Sequence, residues 1–542
     1  MKRGVFWAFA AVFAAAAGWL FAGAWSLDLA PVMPDCAVSF PRRWLAARWG
    51  EWLANGKFVP DDLLVLLGGP YVWQELRYAA ALFAAAAGLA WFLRGRGLSR
   101  LSACGAGLFL AFSGYWCTLF SAGHLGWFRW MTYGVWAFGL VDRALGRGGV
   151  RYWLLLGACL AWGSFYQPDL WLLFTLFTFV YFLYRLYRER ARFLPFRAGG
   201  MRLLKGVALA LAAFVLIGLP SFRSALVNDL GGRDAQIASS SAPAASGDEA
   251  RARWIFVTNW SLPPEDTLEL VVPRVQGDTS CPLTLAINGA AKGTRPYTGR
   301  LGRPDGAPGG NYRQHALYAG AVTCALALLA LVAACGRGRL RACALSRADI
   351  FFFAACAFVF WLFALGRYCA PVYRLVYALP FGDYLRAPVK WLHLTEFALA
   401  VLAGYGLEAL RRLLARTSLA PSVQTAALVL LILIGTFDLV RVDALYCAPR
   451  RADAQLQFAD IQALRNPSVQ DQMRRARMRV LGYYGAAALV EVPQPRENGP
   501  ADVPAPVPGV LVWGILSVLA DLLLAGWLVG DFLLRKRKTG QK

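Results

Sequence analysis

The sequence predicts an all-α polytopic membrane protein with about twelve spans, on three observations. The first is composition: the chain is 58% apolar and 14% aromatic but only 16% charged, with a mean hydropathy of +0.46. A soluble domain carries roughly 25% charged residues. The second is the recurrence of apolar runs of about 20 residues, the length that crosses a hydrocarbon core. The third is the placement of Lys and Arg, which gather in short segments between those runs.

Lys2 and Arg3 precede the first run, from Val5 to about Trp25. Ala22-Gly23-Ala24 has the small residues a signal peptidase favours, but the run exceeds the 7–15 apolar residues of a secretory signal, so it reads as a retained anchor. Further runs cover 76–93, 101–120, 125–141, 151–166, 168–186 and 203–221. After a long gap come 314–335, 348–365, 389–410, 420–440 and 508–534. With the N-terminus inside, segments 94–100, 142–151, 185–205, 336–347, 411–416 and 535–542 are cytoplasmic, and every one is basic. The outer turn Ser121–Gly126 has no Lys or Arg. Both termini are therefore expected in the cytoplasm. The net charge of +24 follows from this topology and excludes a nucleic-acid-binding reading.

Three outer segments are long. Ser26–Trp73 holds Asp28, Asp35, Glu51, Asp61 and Asp62 around an amphipathic piece from Pro41 to Ala54. Ser221–Arg313 contains flexible Ala/Ser/Gly tracts, and within it Ser261-Leu262-Pro263-Pro264-Glu265-Asp266 reads as a capped helix start with acids in its first turn. Arg441–Pro508 has a charged helical stretch around Ser468–Arg479 and a Pro-rich return. Among eleven cysteines there is no Cys-x-x-Cys and no zinc spacing. Cys36, Cys281, Cys369 and Cys447 fall outside, with their pairing open.

Four stretches resemble one family. They are the first loop, with Asp35, Asn55-Gly56, Pro60 and Gly68-Gly69-Pro70; Ala122-Gly123-His124-Leu125; Asn259-Trp260-Ser261-Leu262-Pro263-Pro264 with Pro273 and Gly277; and Leu379-Pro380-Phe381 through Leu385-Arg386-Ala387-Pro388-Val389-Lys390, running into Ala403-Gly404-Tyr405-Gly406-Leu407. In this order they are similar to the YfhO-like bacterial membrane proteins, of the GT-C class of glycosyltransferases. The chain departs from that pattern in having only Phe58 to Pro60, then two acids, after the first-loop glycine, and in its shorter third outer segment. The resemblance implies a core over 1–440, including outer loops 26–75 and 221–313. Segment 441–507 would be a short outer segment, and 508–542 a last span with a basic tail. It also implies residence in a bacterial inner membrane, a polyprenyl-phosphate sugar donor and a cell-envelope acceptor, with membrane lipids as further partners.

Such a transfer needs a carboxylate to take the acceptor's proton. Asp35 matches the family's first-loop acid; a solvated loop acid beside a proline turn is the plainer reading. Asp28 is the second candidate, though it follows a helix C-terminus, where the dipole disfavours an acid. The leaving phosphate needs cations, and Arg386 and Lys390, four apart, are expected to share a helix face at the outer end of a span. Snorkelling to the headgroups explains them equally. His124 and Asp169, both at outer turns, are further substrate-binding candidates; packing at a helix start and capping are their ordinary roles. Asp61 and Asp62 can hold a divalent cation through oxygen, or simply begin a helix. A transporter or flippase of lipid-linked saccharides would show charged residues in mid-span. Few are evident, since Asp438 and Asp521 lie near span ends. A non-catalytic membrane partner in envelope assembly is the third alternative.

Overall fold

A computed structural model describes residues 4–21, 29–32, 70–119, 127–147, 149–165, 168–193, 199–224, 249–277, 297, 299–301, 316–337, 345–379, 382, 385–447, 450–451, 480–484, 487–491 and 516–530. In chain order the helices are α1 (Gly4–Leu20), α2 (Pro70–Gly95), α3 (Arg100–Ala111), α4 (Gly114–Cys117), α5 (Trp127–Arg147), α6 (Val150–Ser164), α7 (Pro168–Arg188) and α8 (Met201–Ser224). They continue with α9 (Glu249–Val257), α10 (Ala321–Cys335), α11 (Arg347–Ala364), α12 (Ala370–Tyr377), α13 (Leu392–Leu414), α14 (Pro421–Cys447) and α15 (Leu516–Gly530). Every predicted apolar run overlaps at least one of them.

Local chemistry sets their ends. Helices α2, α7 and α14 each begin on a proline, whose missing N–H costs nothing in the first turn. Ser99 caps α3 by accepting from the Ser102 amide at 3.2 Å, and Ser346 caps α11 through the Asp349 amide. Asp169 lies in the first turn of α7, with Arg185 and Arg188 in its last, each sign matching the dipole.

Among the described residues five helices are long and apolar enough to cross a membrane: Tyr78–Gly95, Asp169–Arg188, Met201–Pro220, Arg347–Ala364 and Pro421–Cys447. Their exposed faces fit that solvent. On α14, Leu430, Ile434 and Phe437 are exposed while Leu428, Ile432 and Leu439 are buried. An apolar face of that kind needs lipid rather than water. The chain is a multi-pass membrane protein.

One expectation needs correction, and one small element was not foreseen. The predicted span 101–120 is broken: α3 ends at Ala111 and the chain turns through Ser113 into the short α4. Beside the helices stands a four-stranded antiparallel sheet in the order β1 (Leu29–Val32), β4 (Ala487–Glu491), β3 (Val480–Tyr484), β2 (Arg450–Arg451). It joins the first of the segments expected outside to the third, with Leu29 opposite Glu491 and Val32 opposite Ala488. The stretch around Ser468–Arg479 lies outside the described residues.

The chain divides into two compact units. The first comprises 1–38, 71–128 and 233–494. At one of its ends Arg96, after α2, pairs with Asp349 of α11, and the Ser99 amide donates to Glu408 of α13 at 3.0 Å. These are the ends expected in the cytoplasm. At the other, Tyr78 of α2 donates to the carbonyls of Trp116 and Cys117 at 2.5 and 2.8 Å. There the Leu262 amide also donates to Ala364 O at 2.8 Å. The second unit comprises 39–70, 129–232 and 495–542. Its core packs Ala158 and Ala161 of α6, and Phe165 just after it, against Ile217 of α8 and Leu524 of α15. Gly157 lets α6 close on α8, since a Cβ there would lie 2.1 Å from Ala210 O. Asp142 pairs with Arg185 at 2.7 Å and accepts from the Tyr181 hydroxyl at 2.8 Å.

Candidate functional site

The described candidate residues of the first unit meet at its expected outer end. The segment after α9 is stitched to the segment before α13: the Ala387 amide donates to Val257 O at 3.0 Å and the Val389 amide to Trp260 O at 2.9 Å. Arg367, just beyond α11, braces the first of these segments, donating through its guanidinium to Thr258 O at 2.8 Å and to Asn259 O at 2.6 Å. Its amide donates to Ser261 Oγ at 2.9 Å, and the Ser261 hydroxyl donates in turn to Thr258 O at 2.7 Å. Gly366 permits the fit. Its φ of +48° favours glycine, and a Cβ would lie 2.1 Å from Ser261 Oγ.

Ser261 therefore closes a turn instead of capping a helix. The acids after it do enter a first turn, that of a 3-10 helix over Pro264–Leu270. Glu265 meets Arg300 through two hydrogen bonds of 2.7 and 2.9 Å, and Arg300 holds its carboxyl below the usual range. Asp266 is 1% exposed and accepts from the Tyr297 hydroxyl at 2.5 Å. Burial pushes Asp266 up to about 6, against the opposing hydrogen bond from Tyr297. Burial, then the Asp266 charge, pushes the Tyr297 phenol up as well.

Arg386 and Lys390 do not share a helix face. Ala387 between them has φ +65°, and Lys390 belongs to a 3-10 turn over Pro388–Trp391. The turn buries Lys390 to 7% exposure, whereas Arg386 is exposed with its guanidinium 5.3 Å from the Phe256 ring. Asp169 belongs to the other unit, is 5% exposed and accepts from the Leu170 amide at 2.9 Å. Asp28, Asp35, Asp61, Asp62 and His124 lie outside the described residues. Among the described residues no group of three or more His, Cys, Asp or Glu is arranged to hold a metal ion.

Beneath the junction lies a buried group that the sequence reading missed. His393, 0% exposed, stacks on Tyr115 with ring centroids 3.8 Å apart and planes 10° from parallel. One turn on, Glu396 (1% exposed) accepts from the Ser113 hydroxyl at the α3–α4 break. Asp443, 0% exposed, lies beside the Cys117 thiol near the end of α14. The signal was present as His393-x-x-Glu396 inside an apolar run. Asp443 fell three residues past the assigned edge of its run. Comparison of the chain with protein-family models, with curated proteins and with solved structures finds no match.

Proposed function

We propose that the protein is a GT-C-type glycosyltransferase of the bacterial inner membrane, moving a sugar from a polyprenyl-phosphate donor to an envelope acceptor at the outer face. The observation that carries this reading is the junction of two stretches that resemble the family. Asn259–Pro264 and Leu385–Lys390 are far apart in the chain, yet the Val389 amide donates to Trp260 O, and the Ala387 amide donates to Val257 O just before the first stretch. Arg386 stands exposed on that junction, as a phosphate ligand must. The strand pairing of Leu29–Val32 with Ala487–Glu491 anchors the first loop, between Asp28 and Asp35, in the same unit.

The test is purified protein with labelled polyprenyl-phosphate sugars and identification of the product. With Asp35 as general base, Asp35→Asn is expected to lower turnover by about 10²–10⁴. Asp28→Asn, its matched control, should fall much less. Arg386→Ala should weaken donor saturation roughly ten- to hundredfold, the worth of a charge-assisted contact. Lys390→Ala is the poorer probe, because that side chain is buried and its loss disturbs the turn. No transfer from any such donor would sink the reading.

A second reading has its own support. Buried Glu396 and Asp443 within helices are what a proton-coupled transporter or flippase of lipid-linked saccharides would carry. Movement of a labelled lipid-linked saccharide across reconstituted vesicles, with no transfer product, would favour it.

A further inference from the structure

Four of the buried acids of the first unit, those carried by α11, α13 and α14, fall into two kinds. Asp349 pairs with Arg96 and accepts from the Tyr405 hydroxyl at 2.9 Å. Glu408 accepts from the Ser99 amide at 3.0 Å and the Ser102 hydroxyl at 3.1 Å, and pairs with Arg411 at 2.7 Å and Arg412 at 3.1 Å. Both lie at the expected cytoplasmic end, and both have their charge compensated. Glu396 and Asp443, toward the other end, have no Lys or Arg partner among the described residues.

Their hydrogen bonding is equally bare. Ser113 donates to Glu396 Oε2, and the Tyr115 amide faces the same carboxyl. Oε1 meets no N–H or O–H donor among the described residues, and neither oxygen of Asp443 does. The two carboxyls are close enough to act on each other electrostatically. Among the described residues the titratable groups facing them are Tyr115 and Cys117 of α4, Cys324 of α10, His393 of α13 and Cys447 of α14. Two uncompensated negative charges in an apolar interior are strongly unfavourable, and a shared proton removes one of them.

We propose that Glu396 and Asp443 form a proton-binding site within the helices of the first unit, near its expected outer end. The exchange is simple acid–base chemistry: a carboxylate oxygen takes a proton from hydronium and returns it to water. A proton suits this lining better than a metal cation does. Sodium, magnesium and calcium need several oxygen ligands, and the neighbours here are thiols and aromatic rings. The site goes beyond the transferase reading and stands if that reading fails.

The test uses the full-length protein in detergent with dicyclohexylcarbodiimide, an apolar reagent for protonated carboxyls. The carboxyl O–H adds across its C=N bond, so the whole reagent mass stays on the residue. Peptide mass spectrometry is expected to find the label on Glu396 or Asp443, declining as pH rises, with Asp349 and Glu408 unmodified. In Glu396→Gln the midpoint for Asp443 should move down by about one pH unit, because a neighbouring charge is gone. Preferential labelling of Asp349 or Glu408, or labelling independent of pH, would overturn the site. Suppression by sodium at constant pH would overturn its assignment to a proton. Infrared difference spectra across pH read the site without any reagent. The wild type should show a carbonyl band of a protonated carboxylic acid that persists in Asp266→Asn, and Glu396→Gln/Asp443→Asn should lose it. A wild type without that band refutes the proposal whether or not the carbodiimide reacts.

Discussion

At the scale of single residues, the junction separates an acid that holds its charge, Glu265, from one that gives up its proton only near pH 6, Asp266. Glu265 and Arg300 are both about a third or more exposed, so their bidentate pair contributes at most about 1 kcal/mol. Its depressed carboxyl adds stability at neutral pH that is lost as pH falls. Asp266 has the opposite sign. Its folded value of about 6 lies above the ordinary 3.8, so the folded state holds the extra proton between those limits. The stability this group lends is therefore complete below about pH 4 and disappears as pH rises through 6. Two units correspond to roughly 2–3 kcal/mol at full effect. Asp266→Asn cannot titrate and keeps an oxygen for Tyr297. Hydrogen exchange of the amides in Pro264–Leu270 should accelerate between pH 4 and 7 in the wild type, after correction for intrinsic exchange, and stay flat in Asp266→Asn. Matching slopes in the two proteins would assign the pH dependence elsewhere.

Helix positions were legible because a 20-residue apolar run needs no partner to declare itself, and the prolines at 70, 168 and 421 mark where α2, α7 and α14 begin. The break at Phe112–Ser113 was not, because Ser-Gly inside an apolar run is compatible with continuous helix. What stabilises the break is tertiary: the Gly114 amide donates to Tyr318 O at 2.9 Å, and the Ala316 amide to Thr118 Oγ1 at 3.0 Å. The sheet was hidden for a related reason. Leu29–Val32 is too short to carry an alternation, and its partner is at Ala487–Glu491. In the same way Arg386 and Lys390 look like helix neighbours until Ala387 takes a left-handed φ. Helix contact also depends on small residues. A Cβ at Gly406 of α13 would lie 2.0 Å from Leu326 O of α10, a backbone atom that moves only with its helix. Gly406→Ala is expected to destabilise by roughly 1–3 kcal/mol, as overpacking does. Gly18→Ala in α1, with nothing within 4 Å of the added Cβ, should be neutral or stabilising by up to about 1 kcal/mol. Thermal melts of the two variants side by side check the contrast, and equal melting points would remove close α10–α13 packing as a constraint.

For the molecule as a whole, everything proposed depends on which side of the membrane each helix end occupies. The basic segments assign the sides by sequence alone. Contacts in the first unit agree with their sorting: Arg96, Ser99, Asp349, Glu408 and Arg411 cluster among themselves, while Tyr78, Trp116, Leu262 and Ala364 meet at other ends. A contact between an expected inside end and an expected outside end would have broken the scheme. Two cysteines of the chain can test the absolute direction. Cys335 closes α10, is exposed, and precedes the basic Gly336–Arg347 segment expected inside. Cys369, partly exposed, ends a 3-10 turn beyond α11 on the side expected outside. In variants retaining one or the other as the sole cysteine, a membrane-impermeant maleimide applied to intact cells should label Cys369 and spare Cys335. Permeabilised cells should label both. The reverse pattern on intact cells would put Arg386 and the Asn259–Pro264 junction in the cytoplasm. A polyprenyl-phosphate donor presented at the outer leaflet could not then reach them, and the transferase reading would fall with the topology. The paired carboxyls of Glu396 and Asp443 would remain, reached by protons from the opposite side.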